Sequence, residues 1–189
     1  RIQKDEIEIA NMKKAADIAQ KALLDTLDEP VVGKTEREIA SKLTINLLKN
    51  GSGEIPFSPI VAAGVNSADP HATPSDHVIQ PGELLLFDWG ASYEGYTSDI
   101  TRTFAIGEVE PIFYKISEIV KNANQEAIHS TKPNIPAGSV DDAARKVINQ
   151  TGYGEFFNHR TGHGLGMEAH ESPYIYSENT LLLKPGMTF

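Results

Sequence analysis

The stretch LLLFDWGASYEGYTSDITRTF, residues 84–104, decides the fold and carries two carboxylates in segments where aspartate is uncommon. Residues 84–90 form a short apolar run that ends in glycine, and residues 96–104 alternate polar with larger side chains. Both segments are typical of strands. The residues at 93–95 favour a tight turn between them, so we predict a β-hairpin.

The position of the turn decides how Asp88 and Asp99 face each other. A two-residue loop at Tyr93-Glu94 places the aspartates directly opposite, whereas a loop at Glu94-Gly95 makes them diagonal on one face. Like charges this close destabilise a hairpin unless a cation offsets them. A solvated hairpin edge is the simple interpretation, and a divalent metal held by oxygen ligands is the functional one.

Helical periodicity flanks the hairpin on both sides. It predicts four helices. The first covers residues 5–27, and the second covers residues 36–49 and begins at a Thr35-Glu36-Arg37-Glu38 capping box. The third starts at Pro111, and the fourth is capped by Ser139 with Asp142 and ends at Gly152.

Short matching segments recur along the chain at offsets of 99 to 105 residues. The matches are residues 20–23 with 125–128, Gly33 with Gly138, residues 71–74 with 170–173, and Pro81-Gly82 with Pro185-Gly186. This duplication predicts an α+β fold of two α-α-β halves, related by a pseudo-twofold axis and with a site between them. We expect one domain over residues 1–189.

Composition excludes several function classes. The chain has 189 residues, 17 Lys+Arg, 26 Asp+Glu and a formal charge of −9, which disfavours nucleic acid and an anionic membrane as partners. It has no cysteine, and this excludes disulfides, a thiol nucleophile and thiolate metal ligands. No apolar run approaches the length of a membrane span, so we expect a cytoplasmic protein.

Histidines cluster in short loops rich in glycine and proline. His163 lies between two glycines in Thr161-Gly162-His163-Gly164-Leu165-Gly166, where its imidazole is uncrowded. His71, His159 and His170 lie in similar loops, and each alone is more typical of a surface histidine. His77 and His129 are interpreted in that simple way. Neither a complete phosphate-binding glycine motif nor a G-x-S-x-G elbow occurs.

Taken together, these motifs resemble the pita-bread (creatinase/aminopeptidase) metallopeptidase family, over nearly the whole chain. The segments that carry the resemblance are Asp88-x-Gly90, Ser98-Asp99-Ile100-Thr101-Arg102-Thr103-Phe104, His159-Arg160-Thr161-Gly162-His163-Gly164-Leu165-Gly166 and His170-Glu171-x-Pro173. The family includes methionine aminopeptidases, Xaa-Pro aminopeptidases and prolidases. The second and third segments look more like the Xaa-Pro branch.

The resemblance implies two divalent metal ions, manganese, cobalt, iron or zinc, held by two Asp, one His and two Glu. Asp88 would bind one metal, Asp99 would bridge both, and His163 would bind the other. His71 and His170 would contact substrate and help to move protons, and His159 would be the extra substrate-binding histidine of proline-specific members. The implied reaction is hydrolysis of an Xaa-Pro bond, in a dipeptide or at a peptide N-terminus, by a hydroxide that bridges the metals.

The departure from the family that matters most is the incomplete ligand set, because the two glutamate ligands are expected after Phe189. Within residues 1–189 we therefore expect three of the five ligands, a second half without its hairpin, and no separate N-terminal domain of the Xaa-Pro branch. A methionine aminopeptidase and a catalytically silent pita-bread domain that binds peptide or protein are the alternatives. The expected partner is a peptide with proline at its second position, and the resemblance is compatible with a homodimer.

Overall fold

In a computed structural model that describes residues 1–189, the chain forms four α-helices and seven β-strands. The helices are α1 (Glu6–Leu27), α2 (Glu36–Lys49), α3 (Pro111–Ser130) and α4 (Gly138–Gln150). The strands are β1 (Ile60–Ala63), β2 (Leu84–Trp89), β3 (Ser92–Tyr93), β4 (Tyr96–Thr97), β5 (Ile100–Ala105), β6 (Gly162–Gly164) and β7 (Glu171–Ile175). This confirms the predicted α+β class.

The chain divides into two compact units. The N-terminal unit comprises Glu6–Glu110 with Met167–Ala169, and the C-terminal unit comprises Arg1–Asp5, Pro111–Gly166 and His170–Phe189. Each unit contains two long helices followed by strands, as the duplication predicts. No helix in the chain is both long and apolar enough to cross a membrane.

In the N-terminal unit, β1, β2 and β5 form an antiparallel sheet with β2 in the centre. Side chains of β2 alternate, so Leu85, Phe87 and Trp89 are buried in a core that they share with residues of α1 and α2. The Trp89 indole N–H donates to the carbonyl of Ala19 at 2.9 Å, which ties the sheet to α1. One face of β2 therefore faces the helices, and Asp88 lies on the other.

The hairpin register agrees with the second of the two predicted alternatives. Asp88 pairs with Thr101, and Ser92 pairs with Thr97, so the two-residue loop is Glu94-Gly95. Glu94 and Gly95 have φ values of 49° and 78°, which is the left-handed geometry that two-residue hairpins of type I′ require.

In the C-terminal unit, α3 and α4 pack through small and branched side chains. The core contains Ile119, Ala123, Ala127, Val140, Ala144 and Ile148, together with Ile175 of β7. The first residues of the chain belong to this unit: the Lys4 backbone N–H donates to the carbonyl of Gly186 at 2.7 Å. The buried Lys4 ammonium forms an ion pair with Glu171, whose side chain is 20% exposed.

The predicted start of α4 was wrong by a few residues. Ala137 occupies the N-cap position without a side-chain hydrogen bond, and Ser139 lies inside the helix. The backbone N–H groups of Ala137 and Gly138 instead donate to the carbonyls of Leu181 and Asn179, at 2.8 and 2.9 Å. A neighbouring backbone segment therefore supplies the acceptors that a capping side chain would otherwise provide.

The matched positions of the duplication differ in how well they correspond. Thr26 and Thr131, 105 residues apart, each donate a side-chain hydrogen bond to the carbonyl four residues earlier, at 2.7 and 2.9 Å. Gly33, however, lies before α2 with φ at 83°, whereas Gly138 lies inside α4. Gly33 and Gly138 therefore do not occupy equivalent positions. Gly138 meets a steric requirement of its own, since an added Cβ there would lie 2.1 Å from the Ser177 carbonyl oxygen.

Candidate metal centre and histidine loops

Asp88 lies in the centre of the sheet, on the face of β2 that points away from the helices. It pairs with Ile60 of β1 and with Thr101 of β5, and its side chain is half-buried. The apolar residues Leu85, Phe87 and Trp89, which alternate with Asp88 along β2, point to the opposite face and fill the core. Asp88 is therefore presented by a rigid central strand, as a metal ligand requires.

Asp99 lies between β4 and β5, and it is also half-buried. The register is the same on both sides of this break, so Asp99 lies level with Gly90 and diagonal to Asp88. Diagonal neighbours on one face of an antiparallel pair are about 7–8 Å apart, and their Cβ atoms are somewhat closer. The structure therefore places the two predicted aspartates on one face of the hairpin.

Gly90 allows the two strands to approach at this point. An added Cβ would lie 2.0 Å from the carbonyl oxygen of Ser98 and 2.9 Å from the Phe57 ring. Ser98 also bonds across the same gap: its N–H donates to the Ala91 carbonyl at 2.9 Å, and its hydroxyl accepts from the Ala91 N–H at 3.0 Å. The glycine of the Asp88-x-Gly90 motif thus brings the segment that carries Asp99 close to β2.

His163 lies on β6, opposite Tyr174 of β7. Its Nδ1 lies 3.1 Å from the carbonyl oxygen of Gly164. Because a carbonyl only accepts hydrogen bonds, Nδ1 carries the proton and Nε2 is the basic nitrogen of the neutral ring. Metal-binding histidines are held in one tautomer by this kind of hydrogen bond.

His170 immediately precedes β7, and its ring packs against that of His163. The ring centroids are 4.1 Å apart and the planes are inclined by 36°. His170 is exposed, so its ring is accessible to solvent, while its contact with His163 restricts its orientation. The C-terminal unit therefore brings two of the predicted site histidines together.

His159 lies on the segment that leads into β6. It is exposed, and its Nδ1 donates to the carbonyl of Arg160 at 2.7 Å. The carbonyl of His159 accepts a hydrogen bond from Arg145 of α4, which also donates to the carbonyl of Phe157 at 2.8 Å. The backbone around His159 is therefore fixed to α4, while its side chain remains exposed.

His71 lies in the loop between a short 3₁₀ helix, Gly64–Ala68, and β2. Its side chain is exposed, and its backbone N–H donates to the Asp69 carboxylate at 2.9 Å. The other two histidines serve simple roles: His77 pairs with Glu83 at 2.9 Å, and His129 lies in the last turn of α3. Both are consistent with the simple interpretation of the sequence.

Glu36, at the start of α2, is fully buried and accepts four hydrogen bonds from the segment around His71. Burial raises the pKa of the Glu36 carboxyl, but the hydrogen bonds from Ser75, Ala63 and Asn66 outweigh burial. The resulting pKa lies below its usual value. Glu36 is therefore an anion when the protein is folded at neutral pH.

Sequence reasoning overlooked Glu36 and Asp141, the two fully buried carboxylates. Glu36 lies within the capping-box sequence, in which the pattern assigns a role only to Thr35 and Glu38. Asp141 pairs with Arg145 four residues later, and this i, i+4 spacing of opposite charges was a usable signal.

A cleft of about 620 Å³ adjoins the hairpin turn. It is lined by residues 53–56, by Glu94 and Gly95 of the turn, and by Met167–Ala169. Polar side chains of the hairpin, Ser92 and Thr97, also line it. Its volume lies within the range of about 300–1,000 Å³ that is usual for ligand sites in proteins.

The predicted donors fit a divalent metal in their chemistry. Two carboxylates on one face and an imidazole with a defined tautomer are hard and borderline ligands of the kind that manganese, cobalt, iron and zinc accept. No group of three or more His, Asp or Glu side chains in the structure is arranged to hold an ion. The ligand set of Asp88, Asp99 and His163 therefore remains a prediction.

Comparison with known proteins gives a consistent result. The sequence profile of metallopeptidase family M24 matches residues 10–189. The chain is 43% identical to an Xaa-Pro dipeptidase of Pyrococcus horikoshii over 187 residues, which cover 99% of the chain and 53% of that protein.

Solved structures agree with this match. A prolidase from Thermococcus sibiricus shares 45% identity with a TM-score of 0.95, over 99% of this chain and 51% of that one. An X-Pro aminopeptidase from Thermotoga maritima shares 40% identity with a TM-score of 0.96, over 99% of this chain and 53% of that one. The pita-bread fold is thereby confirmed, and the chain spans about half the length of the relatives that it matches.

Proposed function

The chain belongs to metallopeptidase family M24, and from this premise we propose that the whole protein is a metal-dependent exopeptidase specific for Xaa-Pro bonds. The observation that carries the proposal is the pair of carboxylates, Asp88 and Asp99, on one face of the β2 hairpin. Relatives named Xaa-Pro dipeptidase and prolidase, at 43% and 45% identity, support the substrate class. We propose the cytoplasm as its compartment and residues 1–189 as part of a single catalytic domain.

In this proposal Asp88, Asp99 and His163 would supply three of the five ligands of two divalent metals. When bound, such metals supply a water of lowered pKa and a Lewis acid for the scissile carbonyl. His163 uses Nε2, because Nδ1 is already engaged with the Gly164 carbonyl. The carboxylates contribute the negative charge that the metals require, and the cations in turn relieve the repulsion between Asp88 and Asp99.

The exposed histidines act on the substrate. His170 packs against His163, so its ring is held beside the proposed metal ligand and can donate a proton to the substrate. The backbones of His71 and His159 are held by hydrogen bonds to Asp69 and Arg145, and their imidazole rings are exposed. This arrangement suits groups that bind the peptide. Their neutral rings can each donate one hydrogen bond and accept another.

The structural relatives of the chain support two types of Xaa-Pro exopeptidase, a dipeptidase and an aminopeptidase. The structural relatives include both a prolidase and an X-Pro aminopeptidase, with TM-scores of 0.95 and 0.96. The first type releases proline from a dipeptide, and the second removes a residue from a longer peptide. The two differ in what closes the space beyond the scissile bond.

We expect the full-length protein, stripped of metal and reloaded with Mn²⁺, to cleave Ala-Pro or Ala-Pro-Ser. Chelation should abolish the activity, and Asp99→Asn should lower kcat by about 100-fold or more, because one metal ligand is weakened. Asp17→Asn, which changes an exposed aspartate of α1, is the matched control and should leave kcat unchanged.

The choice of peptide separates the alternatives. Preference for Ala-Pro indicates a dipeptidase, and preference for Ala-Pro-Ser indicates an aminopeptidase. Faster cleavage of Met-Ala-Ser would replace the proposal with a methionine aminopeptidase. A fully metal-loaded protein that cleaves none of the three would refute peptidase activity and favour a binding domain.

A further inference from the structure

Each unit contains one fully buried carboxylate in the first turn of its second helix. Glu36 in α2 and Asp141 in α4 both have no exposed surface. A buried carboxylate is unfavourable unless it is hydrogen-bonded or paired with a cation. The partners of these two groups therefore indicate what each carboxylate does.

Glu36 holds both ends of the loop that carries His71. Its Oε1 accepts from the Ala63 N–H at 2.7 Å and from the Asn66 side-chain amide at 3.0 Å. Its Oε2 accepts from the Ser75 N–H at 2.9 Å and from the Ser75 hydroxyl at 2.7 Å. One carboxylate thus joins the residue before the loop to a residue after His71.

Backbone contacts reinforce this attachment. The N–H groups of Glu36 and Arg37, at the start of α2, donate to the carbonyls of His77 and Ser75, both at 3.0 Å. The end of the His71 loop therefore also satisfies the first N–H groups of α2. The loop has few buried side chains of its own, so these polar contacts carry most of its attachment.

Asp141 plays a similar part for the segment that carries His159. Its Oδ1 accepts from the Thr161 N–H at 2.9 Å, and the carboxylate pairs with Arg145. Arg145 donates in turn to the carbonyls of Phe157 and His159, and its guanidinium lies 4.5 Å from the centre of the Phe157 ring. The pair therefore holds the backbone on both sides of His159, which lies four residues before His163.

We propose that Glu36 and Asp141 are positioning residues, each of which holds a histidine-bearing loop in the conformation that binds the substrate. The proposal rests on the peptidase function proposed above. The hydrogen bonds that Glu36 accepts from outside its own helix come from residues 63–75, on both sides of His71, and the one that Asp141 accepts comes from Thr161, two residues after His159. His71 is exposed, so its position depends chiefly on the backbone of its loop. The exposed His159 ring packs edge-on against Phe157, with the ring centroids 4.8 Å apart, and the Phe157 carbonyl is one of the acceptors of Arg145.

The test uses two isosteric variants of the full-length protein, Glu36→Gln and Asp141→Asn. An amide has one acceptor oxygen where the carboxylate has two, so Glu36→Gln loses its contacts with Ala63 and Asn66 or with Ser75. The matched controls are Glu38→Gln and Asp142→Asn, which change exposed acids in the same helical turns. Glu38 bonds only within the helix cap, and Asp142 accepts from Ser177.

The first measurement is amide hydrogen exchange, which is independent of activity. Glu36→Gln should accelerate exchange in residues 64–77 and leave residues 157–163 unchanged. Asp141→Asn should give the reverse pattern. Each control should match the wild type in both segments.

The second measurement separates positioning from a merely structural role. We expect each variant to lower kcat/KM for the Xaa-Pro substrate by about 10- to 100-fold, chiefly through KM, because a displaced histidine no longer binds the peptide. Mn²⁺ affinity, measured by isothermal titration, should change little in Glu36→Gln. If Glu36→Gln does not fold, Ser75→Ala removes one of the four hydrogen bonds and should produce a smaller change in the same direction.

Two results would overturn the proposal: unchanged exchange in the two loops, or accelerated exchange with an unchanged kcat/KM. A wild-type protein that cleaves no Xaa-Pro peptide would instead refute the proposed function. In that case the exchange pattern alone still decides whether the carboxylates hold the loops.

Discussion

Single residues in this chain act mainly by what they allow the backbone to do. Gly90 permits the Ser98 carbonyl, directly before Asp99, to approach the end of β2 closely. The Gly164 carbonyl holds one nitrogen of His163, and Ser75 joins the His71 loop to Glu36. The candidate site residues are therefore positioned by neighbouring residues that are not themselves proposed to bind metal or substrate.

Gly90→Ala should destabilise the protein by about 1–3 kcal/mol, because the added methyl group overlaps the Ser98 carbonyl and the strands must separate. Urea denaturation measures the free energy of unfolding. Gly53→Ala is the control, since its nearest atom, the Ser92 hydroxyl, would lie 3.6 Å from the new Cβ. Equal stability of the two variants would show that the close approach at Gly90 is unimportant.

Residues with distinctive chemistry could be predicted from the sequence, and residues defined by burial could not. Asp88 was noticeable because aspartate is uncommon in an apolar strand, and His163 because glycines flank it. Glu36 is one of two glutamates in a short acidic segment, and only the fold determines which one is buried. Burial of Asp141 likewise depends on the segment 157–161, which is remote in sequence.

Secondary-structure elements follow local patterns except where another segment intervenes. The capping box places the start of α2 correctly: the Glu38 N–H donates to the Thr35 hydroxyl at 3.1 Å, and the Thr35 N–H donates to Glu38 at 2.7 Å. The start of α4 was not predictable in this way, because carbonyls of Asn179 and Leu181 accept its first hydrogen bonds. The hairpin turn had two acceptable positions in sequence, and the glycine in its second position decided between them.

The turn itself offers a prediction at this scale. Glu94 adopts a positive φ of 49°, which is unfavourable for glutamate and well tolerated by asparagine. Glu94→Asn should therefore stabilise the protein by about 0.5 kcal/mol, whereas Gly95→Ala should destabilise it by about 1 kcal/mol or more. Thermal unfolding measures both, and the same sign for the two variants would contradict the assigned turn.

At the scale of the whole molecule, the chain has two cores rather than one. Residues such as Leu43, Phe87 and Trp89 form the first, and Ala123, Val140 and Ile148 form the second. The sequence duplication predicted two similar halves, and Thr26 and Thr131 make the same hydrogen bond in each.

Metal binding should be visible in the stability of the full-length protein. A ligand that binds only the folded state at about 100 times its Kd adds about 2.7 kcal/mol to the free energy of unfolding. We therefore expect Mn²⁺ to raise the Tm of the metal-free protein, and Asp99→Asn to reduce this increase. Asp17→Asn should retain it.

This thermal shift also separates the two classes of function. A Tm increase without peptide cleavage would indicate a domain that binds metal but does not catalyse. The absence of any increase, with cleavage retained, would mean that the activity does not depend on the proposed ligands.

The ion pair between Lys4 and Glu171 has a consequence for how shortened versions of the protein are made. The Lys4 side chain is 2% exposed, and its partner lies next to His170, more than 160 residues away in sequence. A version trimmed to the first helix at Glu6 loses no helical residue, yet it leaves Glu171 without its cation and Gly186 without its backbone donor. Residues 1–5 therefore belong in any shortened protein.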